Sequence, residues 1–155
     1  MNISKVFELA AAANVEVKIT AENWQKSCCN WTGISDDLKV GIISQFRWEE
    51  IIIAPMNCRE AFVAALHELG HVHTMYPKYN PLEYKDDSGK YRRMVLEIES
   101  DAWLWTFDKL EEENDLQKED LQLAVRCMNT FAAPWNVVIG DSYNEFMRRA
   151  IVNIL

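Results

Sequence analysis

The run His67-Glu68-Leu69-Gly70-His71 constrains this chain more than any other stretch. On an α-helix, residues four apart sit about 40° apart around the axis and one turn along it. His67 and His71 can therefore point two imidazoles at one ion, at the roughly 2.0–2.1 Å that zinc–nitrogen bonds require. Glu68 stands beside the first of them, on the side from which a metal-activated water attacks a substrate. With only 3 His in 155 residues, the pattern arises by accident on the order of half a per cent of the time. The competing reading is a pair of core or surface histidines with no metal between them. Taken at its face value, the segment asks for a helix, a Zn2+ site and a general base within two turns.

A second segment supplies carboxylates. In Val95-Leu96-Glu97-Ile98-Glu99-Ser100-Asp101-Ala102-Trp103, Glu97 and Asp101 are again four apart and share a helical face. Glu99 lies about 200° around from Glu97 and points away from that pair. The stretch Met94 to Phe107 is apolar almost all round, which implies burial. A buried carboxylate is costly unless it is paired or holds a metal. Glu97 as third zinc ligand, with Asp101 accepting a proton from the far nitrogen of a ligating histidine, meets that cost for both. Pairing with Arg92, Arg93 or Lys109 is the alternative, and for Asp101 the two stand level.

The downstream pattern separates types of metallopeptidase. A metzincin needs a histidine six residues after His71, and that position is Pro77. A second helix carrying Glu-x-x-x-Asp is the arrangement of thermolysin-type gluzincins. HELGH followed by E-x-E-x-D-x-W resembles the ImmA/IrrE-like family of small metallopeptidases, whose second helix carries Glu-x-Glu-Ala-Asp/Asn-x-Phe-Ala. Ser100 stands here where Ala is usual, and Trp103 where Phe is usual. The resemblance covers roughly residues 40–110, and its second half is the less specific. It implies a zinc-dependent endopeptidase with ligands at His67, His71 and Glu97 and the base at Glu68. It also suggests a regulatory protein as the target, since many members sit beside or are fused to a DNA-binding repressor. No such module is visible in this sequence.

Composition narrows the setting. A chain of 155 residues with 49% hydrophobic and 26% charged residues reads as one domain, 1–155, able to bury its core without staples. Cys28, Cys29, Cys58 and Cys127 form neither a CxxC pair nor a disulfide framework, so reduced thiols in a cytoplasm are the simplest reading. The N-terminus makes a poor signal peptide, and no run approaches the 18 or so apolar residues of a membrane span. A net charge of −8 and basic doublets only at Arg92-Arg93 and Arg148-Arg149 argue against nucleic acid and anionic membranes. The resemblance above implies a protein or peptide substrate as the partner.

Along the chain, a helix is expected over 2–13 and a strand over Val15–Thr20, then an irregular packed segment over 21–37. Strands over Lys39–Gln45 and Trp48–Ala54 follow, the second alternating Trp48/Glu50/Ile52 against Glu49/Ile51/Ile53. Asn57 and Glu60 suit the cap of the metal helix, which runs to about Met75, and Gly70 lets another backbone approach it. A loop over 76–90, an acidic helix over 91–112, a helix over 116–131 and a last helix signalled by Ser142 and Glu145 complete the order. The fold class is α+β: a small mixed or antiparallel sheet of about three strands packed on a zincin-type HExxH helix and a second acidic helix, with further C-terminal helices. Trp48–Ile53 is the candidate edge strand for pairing with an extended substrate. Tyr76, Tyr79, Tyr84 and Tyr91 are candidates for loop packing, with one phenol as an oxyanion donor in the sharper version. His73 points away from His67 and His71. The competing functional class is a metal-stabilised, non-catalytic binding or regulatory protein, with Asp101, His73 or Cys58 closing a four-ligand structural site. A motif that is incidental in a helical interaction protein is the third reading.

Overall fold

The computed structural model describes residues 2–20, 28–32, 47–74, 88–132 and 140–154. Among these, five helices and a small sheet give an α+β architecture. Helices α1 (Ile3–Ala12), α2 (Arg59–Thr74), α3 (Ser88–Glu112), α4 (Lys118–Ala132) and α5 (Asp141–Ile154) accompany strands β1 (Glu16–Ile19), β2 (Cys28–Thr32) and β3 (Arg47–Ile53). No described helix is long and apolar enough to cross a membrane.

Local chemistry explains the element ends. Helix α1 stops at Asn14, whose φ of 56° is the left-handed conformation that asparagine tolerates. The Val15 N–H then donates to the Ala10 carbonyl and the Asn14 N–H to that of Ala11. This is a Schellman closure, with Val15 and Ala10 both buried as its apolar clasp. Asn114, at φ 52°, ends α3 in the same way, through Asp115 N–H to Leu110 and Asn114 N–H to Glu111. Helix α4 opens with Gln117, whose N–H donates to the Asp120 carboxylate at 2.9 Å. That carboxylate is buried and also accepts from Arg59 Nε at 2.9 Å, while Arg59 Nη1 reaches Asp115 at 2.7 Å. One guanidinium thus ties the start of α2 to the turn between α3 and α4.

The strand order is β1-β3-β2. β1 runs parallel to β3, with Val17 opposite Ile51 and Ile19 opposite Ile53. β2 runs antiparallel to β3, with Cys29 opposite Ile51 and an irregularity between Asn30 and Trp31. Two expectations change here. Residues 28–32 are strand, whereas the sequence reading placed them in an irregular segment. Strand β3 is flanked on both sides, by β1 and by β2, so Trp48–Ile53 is not an edge open to substrate. The expected strand over Lys39–Gln45 lies outside the described residues, as do Tyr76, Tyr79 and Tyr84 and the side chain of Tyr91.

Period-two alternation in β3 buries Ile51 and Ile53 and leaves Glu50 and Ile52 half-exposed. Against that buried face lies α2, in which every residue from Ala61 to His71 is buried. A helix covered on all sides belongs at the centre of a domain, and α2 packs against β3, β2, α1 and α3. The core runs from Val6 and Ile51 through Phe62 and Leu66 to Trp103 and Phe107. Each such side chain contributes about 1.5–3 kcal/mol when fully removed from water.

Helices α2 and α3 meet at Gly70. A Cβ at that position would stand 2.5 Å from the Ala102 carbonyl oxygen and 3.0 Å from its Cα. The expectation that this glycine admits a neighbouring backbone is met, and the neighbour is α3. Substituting Gly70→Ala should cost about 2 kcal/mol of unfolding free energy through overpacking, in spite of alanine's better helix propensity. Equilibrium urea unfolding measures this, and a variant as stable as the wild type would show that the two helices can part freely.

Candidate metal centre

Four residues apart on α2, His67 and His71 project from the same side of the helix towards α3. Their Nε2 atoms lie 3.1 Å apart, with the rings edge to face at 4.6 Å between centroids. Both side chains are buried. Two imidazole nitrogens that close cannot both carry protons, so at least one offers a lone pair.

The carboxylate that faces them is Glu99. Its Oε2 is 3.1 Å from His67 Nε2 and its Oε1 is 3.5 Å from His71 Nε2. Among the described residues, His67, His71 and Glu99 form the one group of metal-type side chains whose ligand atoms converge, all within 4.8 Å of one another. Ligands about 2.0–2.1 Å from a tetrahedral ion are separated by roughly 3.3 Å. The 3.1 Å between the two imidazole nitrogens lies close to that value, and each nitrogen has its own Glu99 oxygen near it, Oε2 at 3.1 Å for His67 and Oε1 at 3.5 Å for His71. The donor set and its spacing therefore fit a metal ion, and nothing in the geometry fixes which one.

Glu97, the sequence-based candidate for third ligand, is engaged elsewhere. Its carboxylate accepts from the backbone N–H of Ser142 at 3.1 Å and of Tyr143 at 3.3 Å. These are orphan donors in the first turn of α5, whose ladder starts with Asn144 N–H donating to the Gly140 carbonyl. Gly140, at the position where a side chain would normally cap, has none, and a Cβ there would collide with the Glu97 carboxylate. Glu97 caps α5 from another helix, with its negative charge at the positive end of the helix dipole. Ser142 does not serve as the cap the sequence suggested, and Glu145 pairs with Arg148 at 2.8 Å.

The swap of carboxylates has a simple cause. The face of α3 that meets α2 is set by Ala102 against Gly70 and by Trp103 against His67. Glu99 precedes these by three and four residues and shares their face, whereas Glu97 lies about 200° from Glu99. The signal was present in the sequence as a glutamate one turn before a small residue and an aromatic. It was outweighed by the match between Glu97 and Asp101. Asp101 is half-buried in α3, and it is not the acceptor for His67, whose Nδ1 is buried without a hydrogen-bond partner.

Glu68 is buried beside the cluster, 9% exposed, and its charge acts on His71. His73 stacks on Trp105 at 4.7 Å between centroids, and Cys58 is exposed at the foot of α2, so neither closes a fourth coordination position.

Burial works against a charge on His71, but the hydrogen bond and negative charge of Glu99 prevail and raise its pKa. Burial likewise pushes the Glu99 carboxyl up, and hydrogen bonds from both histidines hold it well below the usual carboxylate range. Without metal, each group thus favours the charged form of the other. The Glu99 contribution is present above its ordinary value of 4.5 and is lost as pH falls through the depressed folded value. The His71 contribution is complete below 6.5 and is lost as pH rises through the raised folded value. Chelator-treated protein should gain stability from this pair most fully between 4.5 and 6.5. Thermal melting against pH tests it, the contradicting result being a Glu99→Gln variant with the same pH profile as wild type.

The two glutamates should separate cleanly on substitution. Glu99→Gln should lose bound metal, while Glu97→Gln should keep it and lose about 1 kcal/mol of stability from the α5 cap. Elemental analysis and urea unfolding of both variants give the answer, and metal lost from Glu97→Gln alone would reverse the assignment. In comparisons with known proteins the chain matches no protein-family model, no curated protein and no solved structure.

Proposed function

We propose that this protein is a zinc-dependent peptidase that hydrolyses peptide bonds in a protein or peptide substrate. The observation that carries the reading is the convergence of His67, His71 and Glu99 with Glu68 buried in the same turn of α2. Two imidazoles and one carboxylate make up the ligand set of catalytic zinc in the thermolysin type, which leaves one coordination position to water or substrate. A closed structural site takes four protein ligands, and three converge among the described residues.

Zinc, when bound, supplies a Lewis acid that polarises a substrate carbonyl and brings the ionisation of water towards neutral pH. The chain's own residues do the rest. His67 and His71 present Nε2 lone pairs, and Glu99 balances part of the positive charge. Glu68 takes a proton from the attacking water and returns it to the amine of the departing segment. Its near-complete burial keeps bulk water from competing for that proton. The resemblance to ImmA/IrrE-like peptidases, carried by HELGH and the acidic helix, points to the same chemistry and to a regulatory protein as target, in a cytoplasmic setting. Its third ligand moves here from Glu97 to Glu99.

Glu68→Gln should retain about one zinc per chain and lose roughly two to four orders of magnitude in peptide cleavage. Cleavage of a denatured protein substrate, followed by mass spectrometry alongside zinc content, gives both readouts. A Gln variant as active as wild type would remove Glu68 from the mechanism. Zinc retained with no cleavage in wild type or variant would favour the non-catalytic alternative.

A further inference from the structure

We infer that Trp103 is the positioning residue for His67, fixing its imidazole by ring stacking in place of the usual hydrogen bond. The inference rests on the reading of His67, His71 and Glu99 as a metal site. A ligating histidine ordinarily donates its outer ring N–H to a carboxylate, carbonyl or water, and that bond fixes both tautomer and ring orientation. His67 has no such bond: its Nε2 faces His71 and Glu99, and its Nδ1 is buried with no partner. Torsion about the Cβ–Cγ bond of a histidine is broad. Something else must stop the ring from swinging Nε2 out of the cluster.

What lies against the ring is the indole of Trp103, with centroids 4.2 Å apart and planes 28° from parallel. A flat ring in van der Waals contact resists rotation of the imidazole out of its plane, which is the motion that would misdirect Nε2. Trp103 is 2% exposed, and its own Nε1 has no hydrogen-bond partner. Packing alone therefore holds the indole, between His67 and Phe107, whose ring lies 6.2 Å away. Its backbone is fixed by the neighbouring residue, Ala102, at the contact with Gly70. Two buried, unpartnered polar atoms on stacked rings are expensive to keep. Their coincidence at the ligand is explained if the stacked face, not the hydrogen-bonding edge, is what the site needs from residue 103.

The test compares wild type, Trp103→Phe and Trp103→Leu in two measurements. Zinc affinity is taken by competition with a chromophoric chelator, and the ring protons of His67 are observed by NMR in the metal-free protein. Phe, which keeps a stacking face, should hold zinc within about threefold of wild type. Leu should bind about ten- to a hundredfold more weakly, the range seen when a ligand's orienting partner is removed. In the metal-free wild type, the ring protons should be displaced upfield by the indole, and this displacement should vanish in Trp103→Leu. The wild-type spectrum decides the stack even if the Leu variant does not fold. Zinc binding that is equal in wild type and Trp103→Leu overturns the role of Trp103 while leaving the metal site standing. Ordinary ring-proton positions in the wild type overturn the stack itself. A wild type that shows the stack yet binds no zinc overturns the metal-site reading, and the inference with it.

Discussion

The site depends on how closely two helix backbones approach. At Gly70 the surface of α2 has no side chain, and the Ala102 carbonyl of α3 occupies the space a Cβ would take. That contact sets both the separation and the relative rotation of the helices. One turn back from it on α2 is His67, and one turn back on α3 is Glu99. Trp103, next to Ala102, then falls against the face of His67. Any side chain at residue 70 would push α3 outwards, and the carboxylate would leave the reach of both histidines. A glycine inside a helix costs about 1 kcal/mol in propensity. Here that cost yields a contact through which three side chains find one another.

The parts of the fold that could be read in the sequence are those in which one local signal was dominant. Period-two alternation gave β3, and HELGH lies on the helix it required. The failures have physical causes of the same scale. β2 is short and carries Cys28, Cys29 and Asn30, so its pairing with β3 is a tertiary fact with little local propensity behind it. The choice between Glu97 and Glu99 could not be made from spacing within α3, because it turns on which face of α3 meets α2. Gly70 announced a close approach without saying to whom. Only the paired observation, Ala102 opposite Gly70, selects the face.

The two glutamates divide labour in a way that binds the centre to the periphery. Glu99 faces inward to the histidines, and Glu97, on the other side of the same helix, holds the first turn of α5. Helix α5 in turn places Phe146 against Phe107, one turn beyond Trp103 on α3. Glu97 thus joins the helix that carries Glu99 to the first turn of α5. Gly140 completes the arrangement: the residue at which α5 begins has no side chain, and the space is given to a carboxylate from α3.

These contacts bear on how metal and folding are related in this protein. In very small metal-binding modules the ion creates the fold, because too little apolar surface is available to order the ligands beforehand. Here His67, His71 and Glu99 sit on two helices already packed by the sheet, by α1 and by the Gly70–Ala102 contact, and α2 is buried from Ala61 to His71. The histidines and Glu99 lie together without an ion, His67 Nε2 at 3.1 Å and His71 Nε2 at 3.5 Å from the carboxylate. On the reading proposed above, a metal would meet a set of donors that the fold has already gathered. The entropic cost of bringing these three side chains together has been met by the core, so binding an ion there would require little rearrangement of the chain. That is the condition a catalytic site needs, since a coordination position left to water stays open only if the protein, and not the ion, determines where the ligands stand.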